Sequence, residues 1–119
     1  GLVGADGGIE CKSRRQKYQV QTIVENYRDG GIPSDFILQV QGEMLVCERE
    51  WWDFISYSGG LPMAPIRVYP DREIQAAIID AAAQFEASVN EAIADYHAAL
   101  ASEPRLIPTE RRIEQEMFV

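Results

Sequence analysis

Glu10, Cys11 and Lys12 are the residues whose types and spacing first suggest chemistry. Side chains alternate along a strand, so Glu10 and Lys12 would share one face while Cys11 points the other way, into a core. A carboxylate and an ammonium side by side at the open end of a sheet can hold a divalent cation and stabilise charge on a phosphate under attack. The same pattern also recurs on solvent-facing strands, where it is an ion pair of small worth. Just downstream, Lys12, Arg14, Arg15 and Lys17 form the only dense basic cluster of the chain. It reads either as an edge that meets phosphates or as a solvated loop. Trp51 and Trp52 have the chemistry to stack on bases, but neighbouring strand residues face opposite sides, so at least one of them should belong to a core. His97 is the only histidine, and Cys11 and Cys47 show no paired spacing. Zinc and a disulfide framework therefore have no support, and a reducing compartment fits better.

The segments that must position these groups follow from the hydrophobic pattern. Leu2-Val3 and Ile9 to Lys12 flank the turn-rich run Gly4-Ala5-Asp6-Gly7-Gly8, which predicts an antiparallel hairpin. A three-residue loop of Ala5, Asp6 and Gly7 would set Leu2 opposite Glu10 and make Asp6 a turn residue, roughly 13 Å from Glu10. Tyr18, Val20, Ile23, Val24 and Tyr27 recur at helical spacing within 16–27, and Gly30 with Pro33 ends that segment. Ser34 suits the N-cap of a helix from Asp35 to about Cys47, with Ile37, Val40, Met44 and Cys47 on its buried face. Gln41, one turn from Ile37 and Leu45, sits at the boundary of that face, where a structural hydrogen bond and a contact to a reacting group are both open. Trp51 to Tyr57 and Ile66 to Tyr69 read as two strands of a second hairpin. Asp71 then caps a long helix whose Ile74, Ile78, Phe85, Val89, Ile93, Tyr96 and Leu100 predict one packed face. Thr109 to Met117 is acidic with a helical pattern.

A chain of 119 residues with 46% hydrophobic and 25% charged residues is sized for one core, which excludes disorder as its main state. Its net charge is −8, and residues 1–70 carry 7 Lys/Arg against 9 Asp/Glu, whereas residues 71–119 carry 4 against 10. Such acidity excludes a surface wholly devoted to nucleic acid, although a local basic patch can still dominate the field beside a cleft. No apolar run approaches the roughly 20 residues that span a bilayer, and no signal segment opens the chain. A location inside the cell, with no membrane partner, is expected. Gly1 begins directly in an apolar, strand-like stretch without an initiator Met, so the chain is expected to be a fragment of something longer.

Three stretches taken together, Gly1 to Ser13 with its Glu10-Cys11-Lys12, Gln39 to Val46, and Trp52 to Tyr57, have the order and spacing of a known family. The chain resembles the phage lambda exonuclease-like family of viral recombinases, within the PD-(D/E)XK nuclease superfamily, from Gly1 to about Leu100. The resemblance implies processive 5′-to-3′ digestion of one strand of linear double-stranded DNA with Mg²⁺ (or Mn²⁺), by a ring-shaped homotrimer working with a single-strand annealing protein. It also implies a phage or prophage protein in the cytoplasm of a bacterial host. Carried over residue by residue, it makes Glu10 the metal carboxylate, Lys12 the catalytic lysine and the main-chain carbonyl of Cys11 a further metal ligand. The glutamine motif falls on Gln39 and Gln41. Residues two apart on a helix are separated by about 200°, and Gln41 is assigned to the active-site side. Arg14, Arg15 and Lys17 would contact DNA, and Asp53 matches the family's strand without a catalytic role.

The family also expects an aspartate in the strand before Glu10, in the pattern Asp-Gly-Leu-Val, and this chain starts at the glycine. With Leu2 opposite Glu10, the residue before Gly1 would face Lys12. Ser13-Arg14-Arg15 departs from the Cys-Pro turn that many members carry after the lysine, which leaves the path of the next segment open. The expected fold is α/β, a restriction-endonuclease-like mixed central sheet flanked by helices, with the long C-terminal helix packed on one face. Residues 1–100 would form the C-terminal part of the nuclease domain and residues 101–119 an acidic tail. One carboxylate short, the fragment alone is expected to be inactive. A restriction-like endonuclease and a non-catalytic protein-interaction module are the alternatives.

Overall fold

In a computed structural model that describes residues 1–102 and 105–111, the glycine-rich opening forms the expected hairpin in a different register. Strand β1 (Leu2–Val3) pairs antiparallel with β2 (Gly7–Ser13), with Leu2 opposite Gly8 and Val3 opposite Gly7. The loop is Gly4-Ala5-Asp6, and Gly4, not Gly7, takes the left-handed conformation, with φ 58°. Gly7 and Gly8 answer a different demand. They pair with Trp51 and Trp52 of strand β3 (Trp51–Tyr57), and a Cβ on either would lie 2.0–2.1 Å from an indole carbon. The register therefore slides by two residues from the expected one. Asp6 is a turn residue as expected, and its carbonyl accepts the Glu50 and Trp51 N–H groups at 2.8 and 3.3 Å.

The sheet order is β1-β2-β3-β4, with β2 and β3 parallel and β3 antiparallel to β4 (Ala64–Val68). A parallel pair needs a crossover, and here it carries two helices. Helix α1 (Gln16–Gln21) runs on through a π turn, Thr22–Asn26, and a 3₁₀ turn that ends at Gly30 in the left-handed conformation. Helix α2 (Ile37–Cys47) follows a 3₁₀ turn over Ser34–Phe36, and Ser34 makes no side-chain cap. Val40 and Met44 of α2 are buried with Ile32, Trp52, Phe54 and Ile66 in one cluster, with Ile37 and Cys47 packed against it. By alternation, this core lies on the face shared by Gly8, Glu10 and Lys12.

Two expected faces are exposed. Cys11 is exposed rather than in the core, because α2 and the core cluster occupy the opposite face of the sheet. In α1 and the π turn that continues it, the fully buried residues are the polar Gln19 and Thr22, while Val20 and Val24 are 50% and 63% exposed. Hydrogen bonds replace apolar packing there: Gln19 Nε2 donates to the carbonyls of Ser56 and Pro62 at 3.0 and 2.7 Å.

The chain divides into two compact units, Gly1–Ala82 and a second that begins at Ala83. Helix α3 (Arg72–Ser102) begins as expected at Asp71, whose Oδ1 accepts the N–H groups of Glu73 and Ile74 at 3.0 and 3.1 Å. In the apolar row of this helix, Phe85 is 71% and Tyr96 62% exposed. Thr109–Arg111 have no regular structure, and the rest of the expected helical tail lies outside the described residues. No helix among the described residues is long and apolar enough to cross a membrane.

Candidate active site

Strand alternation and the placement of α2 over one face of β2 bring four polar side chains together. Lys12 Nζ lies 2.6 Å from Glu10 Oε1, and both side chains are a little over one-fifth exposed, unlike a fully solvated surface pair. Gln39, in the first turn of α2, closes the group: its Oε1 accepts from Lys12 Nζ at 2.9 Å and its Nε2 donates to Glu10 Oε1 at 3.0 Å. The same Nε2 donates to Glu43 Oε1 at 2.7 Å. The Lys12 hydrogen bond holds the Glu10 carboxyl below its ordinary range, with Gln39 adding to the effect and desolvation opposing it. Glu10 is therefore a fixed anion at neutral pH beside a hydrogen-bonded ammonium.

Gln41, the residue assigned to this side from the sequence, is elsewhere. It is 3% exposed, its Nε2 donates to the Tyr69 carbonyl at 2.9 Å, and its Oε1 accepts the Asp71 N–H at 2.8 Å. It ties α2 to the start of α3. Gln39 takes the place at Glu10 and Lys12, as the roughly 200° between the two positions requires once one of them faces away. The overlooked signal is polar spacing: four residues after Gln39 comes Glu43, whereas four after Gln41 comes Leu45. Glu43 itself was missed by the sequence reading.

The basic cluster is organised on aromatic rings. Lys12 Nζ lies 5.2 Å from the Phe36 ring centroid, and the Arg14 guanidinium lies 4.9 Å from Phe36 and 5.5 Å from Tyr18. Lys17 Nζ lies 4.7 Å from Tyr18, at a distance typical of cation–π contact. Arg14 Nη1 is buried with no hydrogen-bond partner among the described residues, as is Thr22 Oγ1. Arg14 and Arg15 line a cleft of about 520 Å³ with Tyr18, Thr22, Ser34 and Phe36. The structure thus gathers Lys12 and Arg14 on the Phe36 ring and Arg14 and Lys17 on the Tyr18 ring, with Arg15 beside them on the cleft.

The donors for a hard cation lie at the edge of β2. The Gly1 ammonium donates to the Ile9 carbonyl at 2.6 Å and the Ile9 N–H to the Gly1 carbonyl at 2.7 Å, so odd-numbered residues of β2 direct their peptide groups toward β1. Beyond Ile9 that edge has no partner strand among the described residues, which leaves the Cys11 carbonyl directed to an open edge. Glu10 and this carbonyl are oxygen donors of the kind Mg²⁺ prefers, so the donors fit in kind. Among the described residues no three His, Cys, Asp or Glu side chains form a metal-holding group, so the set is short of ligands.

No protein-family model and no curated protein matches the chain. Among solved structures the fold is that of an alkaline exonuclease, with a TM-score of 0.73 and 30% sequence identity over 85% of this chain. The protein in those structures is LHK-Exo from Laribacter hongkongensis, solved also in complex with dAMP. The chain spans about half of that protein's length, 52%.

Proposed function

We propose that the chain is the part of a metal-dependent DNA exonuclease, of the lambda exonuclease-like family in the PD-(D/E)XK superfamily, that carries the catalytic glutamate, lysine and glutamine. The observation that carries this reading is the hydrogen-bonded group of Glu10, Lys12 and Gln39 at an open sheet edge, in a fold shared with an alkaline exonuclease. Glu10 and the Cys11 carbonyl would hold a divalent ion, Mg²⁺ or Mn²⁺, which when bound supplies an acidified water and neutralises charge on the phosphate. Lys12, held by Gln39, presents its ammonium to the attacking water or to the non-bridging oxygen of the scissile phosphate, where negative charge grows. Arg14, Arg15 and Lys17 bind the DNA backbone and set its path to that point.

In a protein that continues upstream, β1 extended by one residue would place that residue opposite Glu10, not opposite Lys12. Because Gly1 and Ile9 form the hydrogen-bonded pair, this next pair is the close, non-hydrogen-bonded kind, with Cβ atoms roughly 5 Å apart. An aspartate there would be placed to hold a divalent ion together with Glu10. The 5′-to-3′ polarity, the trimer, the annealing-protein partner and a role in phage recombination in the bacterial cytoplasm belong to the same proposal and rest on the sequence resemblance.

The test is cleavage by the intact protein. Glu10→Ala should abolish Mg²⁺-dependent digestion of linear double-stranded DNA while binding persists, and Lys12→Ala should fail at chemistry with Mg²⁺ affinity preserved. Unchanged rates in both variants would sink the assignment and make residues 1–119 a non-catalytic module of a protein whose cleavage resides elsewhere, and cutting of closed circular DNA would make the enzyme an endonuclease.

A further inference from the structure

The contact of Glu43 with Gln39 has a use that the metal and the lysine do not explain. A glutamine side chain presents two ends of nearly equal size, a carbonyl that accepts and an amide that donates, and turning it over exchanges them. At Gln39 the orientation matters, because only the carbonyl end can accept from the Lys12 ammonium. With the ends exchanged, the NH₂ group would meet that ammonium and the carbonyl would meet two carboxylates. Glu10 helps to fix the amide, but its Oε1 is already shared with Lys12, and its carboxylate is the group that would hold a divalent ion. Glu43 has no such second duty. It stands four residues from Gln39 on the same helix, its Oε1 accepts from Gln39 Nε2 at 2.7 Å, and its Oε2 is buried without a hydrogen-bond partner among the described residues. A buried carboxylate oxygen left unpaired costs stability. At such a position a cost of that kind points to a role outside folding.

We propose that Glu43 is a positioning residue: by accepting from the Gln39 amide, it keeps the Gln39 carbonyl turned toward Lys12 when Glu10 is otherwise engaged. The inference rests on the reading of Lys12 and Gln39 as parts of the active site. What it requires of residue 43 is an acceptor, and a charge is not needed. An amide oxygen in the same place serves equally.

The experiment compares Glu43→Gln, Glu43→Ala and Glu43→Leu in the intact protein, with two readouts. In steady-state digestion of linear double-stranded DNA, the Ala and Leu variants should lose on the order of tenfold in kcat with KM and melting temperature close to wild type, and the Gln variant should retain wild-type kcat. In the metal-free Glu10→Ala background, which leaves Glu43 as the carboxylate acceptor for the Gln39 amide, the two side-chain amide protons of Gln39, observed by nuclear magnetic resonance, should be distinct and protected from exchange both with Glu43 intact and with Glu43→Gln. That protection should be lost in Glu43→Ala and Glu43→Leu. Wild-type kcat and unchanged amide protection in both truncations would overturn the proposal, as would a Gln variant as impaired as the Ala variant. An active Glu10→Ala enzyme would instead overturn the proposed function, and the amide measurement, which needs no activity, would still decide the role of Glu43.

Discussion

Gln39 and Gln41 stand two positions apart on α2 and have unlike partners, so their substitutions should separate cleanly. Gln39→Ala should depress cleavage in the intact protein with little change in stability, because its partners at the edge can be met by water. Gln41→Ala leaves the Tyr69 carbonyl and the Asp71 N–H without partners at a partly buried junction and should cost about 1–3 kcal/mol in urea unfolding with the site intact. The shared face of Glu10 and Lys12 was legible from strand alternation alone. Which glutamine joins them was not, since both border the apolar arc of α2, and only the polar neighbour Glu43 tells them apart. The carboxyls of Glu10 and Asp53 are both held below their ordinary range, by hydrogen bonds from Lys12 and Arg67 respectively. The unfolded chain therefore binds protons more readily than the folded one in acid. This stabilisation is complete above the ordinary carboxyl pKa of about 4 and is lost as pH falls through the lower folded values. Urea titrations from neutral pH into acid should show a shallower loss of stability for Glu10→Gln and for Asp53→Asn than for wild type.

The strands and helices came close to their predicted spans because alternation and helical spacing are local properties. β3 covers the predicted Trp51–Tyr57, and α3 starts at the predicted cap. Pairing and burial are not local, and these were missed. Gly7 looked like a turn residue because its neighbours are turn residues, yet the ring of Trp51, 44 positions along the chain in the paired register, explains it. Gly8→Ala tests this account, since the added methyl meets the buried Trp52 ring. Urea unfolding should show a loss of about 1–3 kcal/mol, in the range of overpacked cores. In α1 the apolar spacing was real but identified the exposed side, because a buried glutamine, which no hydrophobic pattern can reveal, latches the helix to the sheet.

The net charge of −8 is a poor guide to where an anionic partner would bind. Local geometry matters more: Arg14 and Lys17 are held on aromatic faces next to Lys12, so a phosphate chain that reaches this edge meets cations already fixed in place. If Arg14, Arg15 and Lys17 meet phosphates, neutralising each in the intact protein should lower the salt slope of DNA binding by about one unit per contact. An unchanged slope returns them to the solvent.

The parallel ladder between β2 and β3 also sets the order in which the molecule can assemble. Its partners are far apart in the chain, Gly7 with Trp51 and Ser13 with Tyr57, whereas Ser56 and Ala64 in the β3–β4 hairpin are near neighbours. Closing the longer loop costs more chain entropy before any contact rewards it, and folding slows as contacts become less local. The hairpin can therefore form early, while Glu10 and Lys12 remain unplaced until β2 docks beside β3 with α2 across it. The meeting of Lys12 with Gln39 is then a late event in folding. A probe that reports their contact would follow the slowest folding phase, and the polar group at the sheet edge would exist only in molecules that have completed the ladder.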